Sequence, residues 1–472
     1  MSPDAPALLE NRTYDELSVG DSASLVRTLN KDDIALFAIL SGDVNPAHLD
    51  EAYARDTPFH KVIAHGMWGG TLISTVLGTK LPGPGTIYVG QTLQFMRPVG
   101  LGDRITVTVT VKAKEANNRV RLDCLCTNQL GKPVISGEAE VLAPQTKVSR
   151  PPSSLPDVHL HRHERFDQLM SLVQSHTPLR CAVVWPDDEH ALTAALECAQ
   201  AGLLTPVLVG NGGRIRALAA QLQLDLNHCE IEEAPGPAAA AHHAIALARE
   251  GDVLAVMQGA LPVGTLMHAV MDHGYGLRTH RRVSHAYIAD VPAYPRPFIV
   301  TDAAINIQPT LEDKRDIVQN AIDLARTLGL SEPRVAILSA AETVHSTLSS
   351  SMDAAALCKM LERHQIAGGI VDGPLSLDAA INERIARLKH PQSPVAGQAN
   401  VLVVPNLETG DMLVKQLSLL ADADVAGIVL GTRVPIILTN PADSPRTRLA
   451  SAALALLLHD ADGRLSTEHP IT

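Results

Sequence analysis

Residues 143–157, reading APQTKVSRPPSSLPD, constrain the fold more than any other stretch of the chain. Proline has no backbone N–H and cannot sustain a helix or a central strand. Four prolines and three serines without apolar periodicity therefore describe an extended connector. The chain of 472 residues is too long for one ordinary core. We expect a first domain over 1–145, a linker over 146–157 and a second domain over 158–472.

The two sides of the connector are patterned differently. Before it, Gly66 to Gly78 (GMWGGTLISTVLG) is apolar nearly all round and rich in small residues, which predicts a wholly buried helix. Period-2 strands follow. Ile105, Val107, Val109 and Val111 share one parity against Thr106, Thr108 and Thr110, with further strands expected near 119–127 and 134–142. A buried helix wrapped by an antiparallel sheet is an α+β hot-dog arrangement. After the connector, short apolar strands near 182–185, 207–209, 253–257, 335–338, 401–404 and 427–430 alternate with amphipathic runs such as 311–328 and 412–420. That alternation predicts a parallel α/β sheet, long enough for two subdomains with a cleft between them.

Charge and composition narrow the functions. A net charge of −12 argues against binding nucleic acid or an anionic membrane face, and 3% aromatic residues offer few stacking platforms. No apolar run reaches the roughly 18–20 residues that span a bilayer. Residues 1–12 lack the basic and apolar regions of a secretory leader, so a cytoplasmic location is expected. Cys124 and Cys126 share the apolar parity of Val120 and Leu122, which assigns them to a core. His159, His161 and His163 lack partners at a zinc spacing and read as part of the connector. No metal is expected. Gly210-Asn-Gly-Gly-Arg214 is not a Walker loop and reads as a turn.

The segment Ser41-Gly-Asp-Val-Asn-Pro-Ala-His-Leu-Asp50 carries an acid, an amide and an imidazole within six residues. Adding water across an activated double bond needs groups that move protons and donors for the oxygen that gathers charge. Asp43 and His48 can move the protons, and Asn45 can hold the water or orient a partner. Val62-Ile-Ala-His-Gly-Met67 places the Gly66 amide in the first turn of the apolar helix, where the dipole favours negative charge. Ser74, further along, can add a hydrogen bond. Asp50 reads as a helix N-cap and His65 as a residue that orients the turn.

Asp43-x-Asn45-Pro46-x-His48-x-Asp50, His65-Gly66-Met67 and Gly85-x-Ile87-Tyr88-x-Gly90-Gln91 resemble the MaoC-like (R)-specific enoyl-CoA hydratases in order and spacing, over roughly 15–143. The resemblance implies that Asp43 and His48 are the catalytic pair and that the Gly66 amide forms the oxyanion contact. It also implies syn addition of water to trans-2-enoyl-CoA, giving (R)-3-hydroxyacyl-CoA.

In the second half, Tyr275-Gly-Leu-Arg-Thr279, Thr301-Asp-Ala-Ala-Ile-Asn306, Asp372-Gly-Pro-Leu375 with Asp378, Pro405-Asn-Leu-Glu408 with Lys415, and Val434-Pro-Ile-Ile-Leu438 resemble the phosphate acetyl/butyryltransferases, over about 160–460. The resemblance implies two α/β subdomains and acyl transfer between CoA and inorganic phosphate, with CoA a substrate moiety and no separate cofactor. Arg278, Asp443 and Ser444 are its substrate-binding candidates here. That family's Ser-Arg pair stands in this chain as Asn440-Pro441, and a lysine of butyryltransferase-like members as Gln258. Proline supplies neither charge nor donor. Two readings follow: a domain that still transfers acyl groups, or a CoA-binding scaffold without chemistry. Both families imply a homo-oligomer.

Overall fold

A computed structural model describes residues 8–156, 158, 160, 164–390, 392–440 and 443–468. His159, His161, His163 and Pro441 lie outside the described residues. The chain divides into two units, 1–160 and 161–472.

In the first unit, local capping shapes the segment that carries the acid and the imidazole. Asn30 accepts the Asp33 N–H at 2.7 Å while Asp33 accepts the Asn30 N–H at 3.0 Å, a reciprocal cap that starts the helix Lys31–Ser41. Gly42 ends it with φ of +73°, a left-handed stop that other residues adopt poorly. Asn45 then caps Pro46–Leu49, and Asp50 caps Glu51–Arg55 by accepting the Ala52 and Tyr53 N–H groups at 2.8 and 3.0 Å. The expected cap role of Asp50 holds.

The central helix is Gly66–Thr79. It lies against a five-stranded antiparallel sheet in the order Ser22–Thr28, Arg104–Lys114, Arg119–Thr127, Pro133–Leu142, Ile87–Phe95. Ile105, Val107, Val109 and Val111 face inward with Cys124 and Cys126, as their parity predicts. The helix buries Trp68, Leu72, Ile73, Val76 and Leu77, each contributing about 1.5–3 kcal/mol. Its burial is one-sided, however: Met67, Thr71, Ser74, Thr75 and Gly78 are exposed. The small residues mark close approach rather than all-round burial. A Cβ on Gly69 would stand 2.3 Å from the Ile135 side chain.

The proline-rich stretch does not leave the unit at residue 145. Ser149–Arg150 pairs antiparallel with Leu9–Glu10. Buried Asn11 ties this return together, donating to the Pro84 and Thr146 carbonyls at 3.0 and 2.8 Å and accepting the Val148 N–H at 2.8 Å. Backbone pairing of this kind leaves no side-chain period to read.

The second unit holds an eleven-stranded sheet in the order Glu230–Glu233, Leu204–Gly210, Leu179–Val184, Ala255–Gln258, Ile436–Ile437, Asp424–Leu430, Ser284–Asp290, Phe298–Thr301, Val401–Val403, Arg334–Leu338, Ile370–Leu375. The first five run parallel to one another, and so do the last four. Asp424–Leu430 and Ser284–Asp290 are antiparallel to each neighbour. The all-parallel expectation is corrected to two parallel α/β blocks joined by an antiparallel seam. Ser284–Asp290 and Phe298–Thr301 escape an apolar-run reading because the seam carries Ser284, His285, Asp290 and Thr301. Asn211 caps the helix Gly212–Gln221 by accepting the Arg214 N–H at 2.9 Å, so the Gly-rich run is a turn into a helix.

Candidate active sites

In the first unit, a cleft of about 310 Å3 opens beside the start of the central helix, lined by His48, Ile63, His65, Gly66, Trp68 and Phe95 among others. His48 Nδ1 lies 2.8 Å from the Ile63 carbonyl, and His65 Nε2 lies 3.0 Å from the Asp43 carbonyl. Carbonyl oxygens only accept, so each of these nitrogens carries a proton, and in the neutral ring the other nitrogen carries the lone pair. His48 therefore presents Nε2 as a base. The two rings pack with centroids 4.0 Å apart, and Phe37 packs on His65 at 4.9 Å. One polar atom each of Asp43, His48 and His65 lies within 4.8 Å of the others.

Gly66 is the first residue of its helix, so its N–H belongs to the turn that has no intrahelical acceptor. A Cβ there would stand 3.2 Å from the Phe95 ring, a tight contact. His65 does orient the turn, through the Asp43 carbonyl. Asn45 also shapes the loop: its side-chain oxygen accepts the Ala47 N–H at 3.1 Å, a cap bond. Ser74 is exposed on the same helix and is not part of the cleft lining.

In the second unit, a cleft of about 330 Å3 forms where Ala255–Gln258 and Ile436–Ile437 end. Asp188, His190, Gln258, Thr439, Asn440 and Arg448 line it. Buried Gln258 donates to the Leu261 carbonyl at 2.8 Å and accepts the Thr439 N–H at 3.3 Å, bracing the two strand ends without adding charge. Asp443 accepts the Asn440 N–H at 2.8 Å. Burial pushes the Asp443 carboxyl above the usual range, opposed by that N–H and by the Arg448 guanidinium. Arg448 donates through Nε and Nη2 to Glu197 at 3.0 and 2.7 Å, and through Nη1 to the Asp443 carbonyl at 2.8 Å. Ser444 accepts the Thr447 N–H at 3.1 Å at the start of the helix Pro445–Glu468.

Arg278 is not brought to this cleft. Its backbone bridges to Thr432, and its guanidinium lies 3.1 Å from the His273 ring. Asp188, His190 and Thr439 were not singled out by sequence reasoning. Asp188 carries a readable sign, an N-cap aspartate before the helix Glu189–Gln200.

Fold and clefts together define a chain of two enzyme domains, one with an imidazole-lined cleft at the start of its central helix and near Asp43, the other an α/β domain with a cleft at its strand ends. Residues 20–123 match the MaoC like domain model, and residues 237–456 match the phosphate acetyl/butaryl transferase model. A phosphate acetyltransferase of Rhizobium meliloti is 53% identical over 62% of this chain and 93% of that protein. A branched-chain phosphotransacylase structure from Enterococcus faecalis covers 60% of this chain and 99% of that one, at 28% identity and TM-score 0.53. An unliganded R-hydratase from Pseudomonas aeruginosa aligns over 33% of this chain and 100% of that one, at 48% identity and TM-score 0.32. The chain belongs to the phosphate acetyl/butaryl transferase family, with a MaoC-like domain ahead of the transferase domain.

Proposed function

We propose that the first domain hydrates trans-2-enoyl-CoA to (R)-3-hydroxyacyl-CoA and that the second transfers acyl groups between CoA and phosphate. The orientation of His48 carries the hydratase reading. Its Nδ1–H is held by the Ile63 carbonyl, which leaves Nε2 to act as the base, and His48 and Gly66 line the same cleft. His48 and Asp43 take a proton from water as its oxygen bonds to C3, and return one to C2. The Gly66 N–H receives the thioester oxygen as it gains charge. Hydration of crotonyl-CoA and longer enoyl-CoAs, followed by loss of enoyl absorbance with chiral analysis of the product, tests this reading. No turnover on any chain length rejects it.

For the second domain, Arg448 supports transfer over a silent scaffold. It lines the cleft, and its side chain is only 11% exposed. Its guanidinium is paired with Glu197 at 2.7 Å, so it offers phosphate a charge only as that pair opens. Asp443, whose carbonyl Arg448 holds, is the proposed acceptor of the CoA thiol proton. The test is phosphate-dependent release of CoA from acetyl-, butyryl- and 3-hydroxybutyryl-CoA; inactivity on all three favours the scaffold reading.

A second copy of the chain is the expected partner. Ile87–Phe95 lies at the sheet edge with Ile87, Val89 and Phe95 exposed, and such an edge favours pairing. Light scattering of the intact chain decides between monomer and oligomer. No described helix is long and apolar enough to cross a membrane.

A further inference from the structure

His65 carries a lone pair that the proposed hydration chemistry does not use. Its side chain is 3% exposed, and its Nδ1 is buried without a hydrogen-bond partner. A buried acceptor left unpaired is unfavourable. His48 is arranged in the same way, with one ring nitrogen anchored on a backbone carbonyl and the other holding a lone pair. A histidine whose far N–H is fixed by a carbonyl is the outer-shell arrangement that orients metal-binding imidazoles. Asp43 adds an exposed carboxylate, and the three groups each bring a ligand atom within 4.8 Å of the others. Ligands around tetrahedral zinc stand about 3.3 Å apart, given bonds of about 2.0–2.1 Å. Binding an ion therefore draws the three groups closer than they stand here.

We propose that Asp43, His48 and His65 form a binding site for a divalent transition ion of the zinc class, and that its occupancy switches hydration off. Two imidazoles and one carboxylate favour zinc or cobalt over magnesium or calcium, which prefer all-oxygen sites. A bound ion withdraws the carboxylate and the imidazole that move the protons. The switch rests on the hydratase reading; ion binding itself does not.

The full-length chain is stripped with chelator and titrated calorimetrically with ZnCl2 and with MgCl2, with CoCl2 followed by visible absorption. Hydration of crotonyl-CoA is measured in parallel. One Zn2+ binds per protomer, Mg2+ does not, and Co2+ shows intense tetrahedral bands. Saturating Zn2+ abolishes hydration and chelator restores it. Asp43→Asn and His65→Gln each weaken Zn2+ binding by about tenfold or more. The glutamine keeps a donor for the Asp43 carbonyl, and circular dichroism checks its fold; if it fails to fold, Asp43→Asn at an exposed position decides alone. Absent saturable binding, or unchanged affinity in Asp43→Asn, overturns the site and places any ion elsewhere, such as the histidines at 159, 161 and 163. Wild-type hydration that persists at saturating Zn2+ overturns the switch. Zn2+ binding lost in Asp43→Asn, in a chain that never hydrates crotonyl-CoA, upholds the site and removes the hydratase reading instead.

Discussion

His48 donates its Nδ1–H to the Ile63 carbonyl at 2.8 Å, and that bond selects Nε2 as the atom that works on substrate. The rest of the site is arranged around this choice. His48→Gln removes the base, and Asp43→Asn removes its acidic partner. Each is expected to lower kcat for hydration by about 10²–10⁴-fold. Circular dichroism unchanged from wild type confirms that the loss is chemical. Near-normal rates in both variants sink the assignment.

The transferase cleft makes a separable prediction about Arg448. Arg448→Gln keeps a donor but removes the charge, so the KM for phosphate rises well beyond the KM for acetyl-CoA. The double variant Asn440→Ser/Pro441→Arg restores a second guanidinium and is expected to lower the KM for phosphate. Initial rates over a phosphate series read both effects. Equal changes in both KM values in Arg448→Gln argue for a packing role.

His285 links stability to pH. It is fully buried in the seam strand, packed edge-on against Tyr287 at 4.4 Å, and burial lowers its pKa from 6.5 to about 3. Between those values the unfolded chain binds a proton that the folded chain refuses. The contribution is therefore whole above pH 6.5 and is lost as pH falls from there toward 3. The Tm of the second domain should drop across that window, and His285→Phe should flatten the slope. A parallel slope in the variant assigns the acid sensitivity elsewhere.

The start and end of the first domain predict how it can be cut. A fragment ending at Gln145 loses the Thr146 and Val148 partners of buried Asn11, while one ending at Arg150 keeps them. An unpaired buried amide costs about 1–3 kcal/mol. Urea midpoints should rank the longer fragment as the more stable. Equal midpoints mean that the return strand contributes nothing.

Legibility in the sequence followed the side chains. The strand over 119–127 and the start of the central helix at Gly66 were readable because alternation and apolar runs report which faces are buried. The seam strands were not, because their buried polar residues break the pattern. The pairing of Leu9 with Arg150 was invisible because only backbone groups take part. Asp43 and His48 were found from residue type and spacing, and the structure brings them together with His65. Arg278 was drawn from a motif, and motif order says nothing about distance: its backbone bridges to Thr432, and it does not line the cleft beside Gln258. Arg448 came to prominence only when folding set its helix beside Glu197.

The short pairing of Leu9–Glu10 with Ser149–Arg150 also has a mechanical meaning. Tension arriving along the following segment meets this zipper before it meets any strand of the five-stranded sheet. Two residue pairs pulled lengthwise give way at forces that leave a longer ladder intact. Parting it would leave every ladder of the five-stranded sheet paired.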